Sequence, residues 1–338
     1  MTRPVLTTGL YCCLALLCLT SCRDDFSLEA DYQDIPVAYA YLNADDDRHF
    51  VRVQKAFLES GGNALENAAV ADSLYYGDGD ATVTLTNGRT GQTFQLARVD
   101  GEDFDVNRTD GVFAVSPNIL YTVAQSEIGL RGGDGVTLTI NRPGEEDAVA
   151  TTRLLDELEI VRPTDQVRID DYRTPLVISW RADERAAIYD IRMIFTIREL
   201  FPDDPSRNRD LELEYVLNDA YVPGEGDVSS NSVRFETSKE AIFQFLGDNL
   251  EPNDDLRRRF RGFDVRIAAA GQEVLDRQTL AGANTGITSS QTLPRYTNLS
   301  GGIGLVTSTT VSIQEGVQLD DGSRDSLVNG FYTRDLGF

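Results

Sequence analysis

The chain has 338 residues, with 55 Asp and Glu against 31 Lys and Arg and a formal net charge of −24. That charge repels nucleic acid and anionic lipid surfaces, so neither is expected as an electrostatic partner. The single histidine, His49, and four cysteines confined to Cys12, Cys13, Cys18 and Cys22 leave no basis for a His-rich or Cys-based metal site.

The first 21 residues place Arg3 before a mostly apolar run from Val5 to Leu19, the n- and h-regions of a secretory signal. The run is shorter than the ~20 apolar residues of a comfortable transmembrane helix. It ends Leu19-Thr20-Ser21-Cys22, which resembles the bacterial lipobox. That resemblance implies cleavage before Cys22 and acylation of its thiol, and hence attachment to a membrane through an N-terminal acyl anchor. The next residues, Arg23-Asp24-Asp25, resemble the surface-export signal of Bacteroidetes lipoproteins. Residues 22–34 read as an acidic tether. Three cysteines leave with the signal and the fourth is acylated, so no disulfide is expected.

Period-two patterns follow. Ile35, Val37, Tyr39 and Tyr41 alternate ahead of an Asn43–Asp47 turn and a second run, HFVRVQKAF, which together predict a hairpin. Asn63 with Glu66 three residues on, and Leu65, Ala68 and Ala69 on one side, predicts a short helix. ATVTLT, the turn NGRTG and QTFQLARV predict the clearest hairpin, with Val83 and Leu85 inward. GVFAVS, ILYTVAQS and GVTLTINRP read as further strands, the last with Val136, Leu138 and Ile140 inward. Many short strands over residues 35–157 predict an N-terminal β-sandwich domain.

A charged stretch bracketed by Pro143 and Pro163 marks a junction near residue 157. The second domain, 158–338, opens with PLVISW and then alternates Tyr189, Ile191, Met193, Phe195 and Ile197 with mostly polar residues. Trp180 closing one strand before this long strand resembles the B and C strands of fibronectin type III-like modules. Thr237-Ser238-Lys239-Glu240 reads as a capping box opening a helix with Ile242, Phe243 and Leu246 on one side, before Gly247. NDDLRRRF reads as a further turn, and FDVRIAAAG resumes the β pattern. The expected fold is therefore all-β: two β-sandwich, Ig/fibronectin-like domains with one or two short helices, the second sandwich carrying the inserted helix, after a lipoprotein signal peptide. No strand–helix alternation of the doubly wound kind occurs.

Three segments together carry a family resemblance: AYAYLNADDDRHFVRVQKAFL (38–58), LVISWRADERAAIYDIRMIF (176–195) and RYTNLSGGIGLVTS (295–308). They resemble an uncharacterised family of Bacteroidetes outer-membrane lipoproteins in which an N-terminal β-domain precedes a fibronectin-like one. A Tyr-x-Asn-x-x-x-Gly-x-Gly segment, here Tyr296, Asn298, Gly302 and Gly304, lies near the C-terminus. The resemblance implies an outer-membrane lipoprotein often encoded near TonB-dependent transporters. It carries over no catalytic residue.

Candidate chemistry is sparse. There is no Gly-x-Ser-x-Gly elbow and no Ser-x-x-Lys. His49 could serve a serine, but its position at the start of a strand reads as a packed or turn histidine. Asp45, Asp46 and Asp47, and Asp78 and Asp80, are calcium candidates by composition, although neither set has EF-hand spacing and acidic turns account for both. Tyr39 and Tyr41 could stack on a sugar; alternating strand aromatics are more often core. No catalytic residue, metal site or cofactor is therefore assigned. The expected function is non-enzymatic: a lipid-anchored outer-membrane protein, exposed at the cell surface, that binds a partner protein such as an outer-membrane transporter, or an external ligand. A carboxylate-based surface hydrolase of glycans or peptides and a structural envelope or adhesion component are the alternatives.

Overall fold

The structure, a computed structural model, describes residues 34–56, 66, 68–229, 232–283 and 295–338. Cys22, Arg23, Asp24 and Asp25, the tether before residue 34, and Asn63 and Leu65 of the expected early helix lie outside the described residues. Among the described residues no helix is long and apolar enough to cross a membrane.

The strands of the first half are β1 (Pro36–Leu42), β2 (Arg48–Lys55), β3 (Thr82–Asn87), β4 (Gln92–Gln95), β5 (Ala97–Asp100), β6 (Ile119–Ala124), β7 (Gly135–Asn141) and β8 (Ala148–Arg153), with one-turn helices α1 (Ala71–Leu74) and α2 (Gln125–Ile128). The second half contributes β9 (Glu159–Arg162), β10 (Gln166–Val167), β11 (Leu176–Arg181), β12 (Ala186–Leu200), β13 (Arg209–Tyr221), β14 (Val228–Ser229), β15 (Ser232–Thr237), β16 (Arg257–Gly271) and β17 (Ile303–Leu319). Three longer helices accompany them: α3 (Lys239–Asn249), α4 (Gln272–Ala283) and α5 (Asp321–Asn329).

The architecture is mostly β, with two sandwiches that share one large sheet. Its order is β13-β12-β16-β17-β1-β2-β6-β5, with β10 also pairing β17. The smaller sheets are β4-β3-β7-β8 and β14-β15-β11-β9. In the first sandwich, Leu42, Val51 and Val53 of the large sheet share a core with Val83, Leu85, Leu138 and Ile140 of the small one. In the second, Ile191, Met193, Phe195, Val265 and Ile267 meet Ile178, Trp180 and Val233 across the layer, and α3 adds Ile242, Phe243 and Leu246. β1, β3, β7, β11 and β12 alternate buried and more exposed positions because their two faces meet different surroundings, whereas β6 is buried at five consecutive positions.

β17 belongs to both sandwiches. Ile303 to Ser308 run parallel to β1, from Val37 to Leu42, whereas Thr309 to Val317 pair antiparallel with β16. Residues 295–308, beyond the junction expected near residue 157, are thus built into the first sandwich. Chain entry is tied down nearby: the Tyr76 hydroxyl donates to Asp34 at 2.6 Å, and buried Arg142 lies 3.4 Å from the same carboxylate.

The first hairpin forms with the expected turn, and the inward sets Val83/Leu85, Val136/Leu138/Ile140 and Tyr189 to Ile197 are buried. Four local readings change. GVFAVS is irregular, its Ala114 amide donating to the Ala68 carbonyl instead of to a strand. RRRF opens β16, where Arg258 turns inward to a buried acid. The α3 cap is Ser238, whose Oγ accepts from the Ala241 amide, and the helix runs past Gly247. On β1 the core face is Ala38, Ala40 and Leu42; Tyr39 and Tyr41 point the other way. Small residues suit the inner face of this central strand because Leu85, Leu138 and Ile140 already fill the layer opposite.

Candidate functional site

A cleft of about 480 Å³ with a mainly apolar lining lies where the two sandwiches meet. Four separate stretches form it. Arg153 ends β8 and Leu155 begins the linker; Glu184 and Arg185 form the β11–β12 turn. Val222, Pro223 and Val228 follow β13, and Gln272 to Leu275 open α4. Val222 and Val228 are 47% and 48% exposed. Arg153 and Glu184 are exposed and make no ion pair among the described residues.

The walls are fixed by hydrogen bonds that cross the junction. Glu273, in the first turn of α4, accepts from Thr152 Oγ1 on β8 at 3.1 Å and from Thr307 Oγ1 on β17 at 3.0 Å. The Leu155 amide donates to Ser308 Oγ at 2.8 Å. Asp183 accepts from the Arg185 amide at 2.8 Å, from Arg185 Nε at 2.7 Å and from the Asp156 amide at 2.9 Å. Burial would raise the Asp183 carboxyl, but the Arg185 guanidinium and these amides outweigh it and hold the group well below the usual carboxylate range. Asp156 shifts the other way, raised by its own burial and then by Asp183. The junction is therefore a preorganised cleft that combines charged groups with an aliphatic lining.

The segment Tyr296-Thr297-Asn298 positions this region. Asn298 donates from Nδ2 to the Val306 carbonyl at 2.7 Å and accepts from the Val306 amide at 2.9 Å, so its amide acts as a one-residue strand partner for β17. Thr297 Oγ1 accepts from the Gly304 amide at 3.0 Å. The Tyr-x-Asn-x-x-x-Gly-x-Gly pattern is thus a docking device for β17.

The other sequence candidates fall elsewhere. His49 is 1% exposed on the core side of β2, and its Nε2 lies 2.9 Å from Gln125 Oε1. Among the described residues no serine hydrogen-bonds to its ring. Among the described residues no three His, Cys, Asp or Glu side chains converge so as to hold a metal ion. Asp80 Oδ2 accepts from the Gly77 amide at 3.0 Å, closing its own turn. The Asp45 amide donates to Asn43 Oδ1, and the Asp47 carbonyl accepts from the Gln125 amide. Burial raises the Asp46 carboxyl, with His49 opposing. On the outer face of β1, Arg277 of α4 lies 5.4 Å from the Tyr39 ring centroid, and its Nη1 donates to the Tyr41 hydroxyl at 3.3 Å. No local sequence pattern joins the cleft residues, which come from stretches far apart in the chain; the charged turn Ala182-Asp183-Glu184-Arg185 between two strands is the signal the sequence offers.

No protein-family model matches the chain. No curated protein sequence matches it either. Among solved structures, a 1.5-MDa bacterial ice-binding adhesin is 8% identical, with a TM-score of 0.18 over 86% of this chain and 66% of the other. A tri-modular GH5 subfamily 4 endo-β-1,4-glucanase from Bacillus licheniformis, complexed with cellotetraose, is 10% identical, with a TM-score of 0.21 over 70% of this chain and 35% of the other. This chain thus spans less than two thirds of the length of either, and likenesses at these TM-scores carry no argument about fold or function.

Proposed function

We propose that this is a lipid-anchored protein of the outer membrane, displayed at the cell surface, that binds a partner protein or an external ligand and catalyses no reaction. The anchor rests on Leu19 to Cys22 and the outward address on Arg23, Asp24 and Asp25. An outer-membrane transporter of the TonB-dependent kind is the partner that the family resemblance implies, and the fibronectin-like character of the second sandwich rests on the same resemblance. The observation that carries binding is the junction cleft, whose walls come from both sandwiches and are held by Glu273 and Asp183. Its lining offers no hydroxyl, thiol or imidazole to act as a nucleophile or base. One of its two glutamates, Glu273, is already committed to two threonine hydroxyls, which leaves no pair of free carboxylates for glycoside chemistry.

Site-specific photo-cross-linking in intact cells tests this reading. A photoreactive residue at Val228, in the cleft, should give a discrete adduct that the same residue at Val112, exposed on the first half of the chain, does not give. Identical adducts from the two positions, or none from Val228, would remove the cleft as the binding site.

A further inference from the structure

β13 is a free edge. Arg209 to Val216 pair with Glu199 to Arg192 of β12 in uninterrupted antiparallel register, and β13 ends the large sheet, so among the described residues no strand occupies its other side. Natural sheets protect such edges with charged side chains, lysine above all, and with proline, bulges or short length. Over these eight positions, Arg-Asp-Leu-Glu-Leu-Glu-Tyr-Val, β13 has no lysine, proline or bulge, and its outer-face charges are all acidic, which guards the edge against an acidic strand but not against a basic one; the register shifts fall only nearer Tyr221.

The two faces of the edge define what would complete it. On the inner face Leu211, Leu213, Tyr215 and Leu217 are only partly buried against the second core, and Tyr215 stacks on Phe245 of α3 at 4.4 Å between centroids. The core is thus open along this side, and a further strand would close it with apolar side chains at alternate positions. On the outer face the charges follow a cross-strand order. Arg192 of β12 pairs with Glu214 of β13 at 2.8 Å, and Arg198 with Asp210 at 2.9 Å. Between them Glu212 stands exposed opposite Thr196, which carries no charge, and among the described residues it has no ion-pair partner. The ladder therefore runs basic on β12 and acidic on β13, and the next strand outward meets a row of Asp210, Glu212 and Glu214.

We infer that β13 receives an extended segment of a partner protein that alternates basic and apolar residues and adds to the sheet as a further strand. Main-chain hydrogen bonds to the open edge supply affinity, and the alternation supplies specificity. A second copy of this chain does not fit, because self-pairing would set the acidic row of β13 against itself, and like charges directly opposite one another are destabilising. This surface is separate from the junction cleft, so the two can fail independently.

The test uses the purified acylated chain in detergent and a fluorescent eight-residue peptide of alternating Arg and Val. Two controls keep its composition: one with the four Arg and four Val in separate blocks, the other N-methylated at every Val to remove ladder hydrogen bonds. The alternating peptide is expected to bind at least roughly tenfold more tightly than either control, the difference of about one to two main-chain hydrogen bonds. Glu212→Lys, on an exposed position without a partner, is expected to weaken it by a similar factor while leaving the far-ultraviolet spectrum and Trp180 emission unchanged. Equal binding of the N-methylated peptide would mean charge attraction alone, and no binding of the alternating peptide would remove the edge as a docking site. A dimer by sedimentation that Glu212→Lys alters would assign the edge to a second copy. Each of these three results overturns the proposal.

Discussion

Gly304 meets Ala38 at a separation that excludes any side chain: a Cβ built on Gly304 would stand 1.8 Å from the Ala38 carbonyl oxygen, and the backbone there has φ of +150°. This contact is where β17 enters the first sandwich alongside β1, so one glycine controls the strand that joins the two cores. Gly304→Ala is expected to cost about 2–5 kcal/mol, the sum of backbone strain and overpacking. Gly316→Ala is the comparison, since Gly316 has a left-handed φ of +67° but open space around it. It should cost only about 1–2 kcal/mol. Urea denaturation of the two variants measures the difference; equal losses would mean that the close approach to Ala38 has no energetic weight.

Trp180 is fully buried, with its ring 5.0 Å from that of Tyr189 and 6.2 Å from that of Tyr221. Trp180→Ala should cost about 3–5 kcal/mol, the range for a buried large aromatic. As Trp180 is the chain's sole tryptophan, its emission reports on this core alone. Blue-shifted emission resistant to acrylamide is expected in the native state. Ready quenching would contradict the packing of the second sandwich.

Glu199, 2% exposed, accepts from buried Arg258 at 2.9 Å and from Arg209 at 2.8 Å. Burial alone would raise its carboxyl, but the Arg209 and Arg258 hydrogen bonds outweigh this and hold it below the usual glutamate value of 4.5. A depressed folded-state value adds stability that is present above pH ~4.5 and is lost as pH falls below it. Glu199→Gln, which strands the Arg258 charge, should cost about 3–5 kcal/mol at neutral pH. The gap between wild type and variant should narrow as the pH falls below 4. Denaturant midpoints across pH 3–7 check this, and a gap independent of pH would show that Glu199 does not carry the linkage.

Cys22→Ser is expected to abolish incorporation of a fatty-acid probe and release the protein from sedimenting membranes. Replacing Asp24 and Asp25 together with Ala should leave labelling intact but reduce digestion by protease added to whole cells. A labelled, sedimenting Ser variant would refute the anchor; undiminished surface digestion of the Ala pair would refute the export signal.

Thermal melting should be the same with and without a chelator, because Asp80 closes its own turn and the Asp45–Asp47 loop is held by main-chain hydrogen bonds. A drop of several degrees would assign calcium to one of the two loops, and Asp78→Asn with Asp80→Asn would then show which.

Alternation was legible in the sequence because a strand's side chains change face at every residue: Val83/Leu85, Val136/Leu138/Ile140 and Tyr189 to Ile197 each announce one buried face. The Thr237-Ser238-Lys239-Glu240 capping box and the Ile242/Phe243/Leu246 stripe likewise announced α3, since both signals lie within a turn or two, although the cap itself falls one residue later, at Ser238. Period two does not say which face is inward when both carry apolar groups. On β1 that choice fell to Ala38 and Ala40, through the large residues packed opposite, and left Tyr39 and Tyr41 outside under Arg277. α4 has no local signal because it follows β16 directly and is held by Glu273 reaching Thr152 and Thr307, partners far away in the chain. The sharing of β17, the junction cleft and the free edge of β13 depend on which strands pair. Pairing is decided by long-range packing and by one close contact, Gly304 on Ala38, and no local run of residues encodes it.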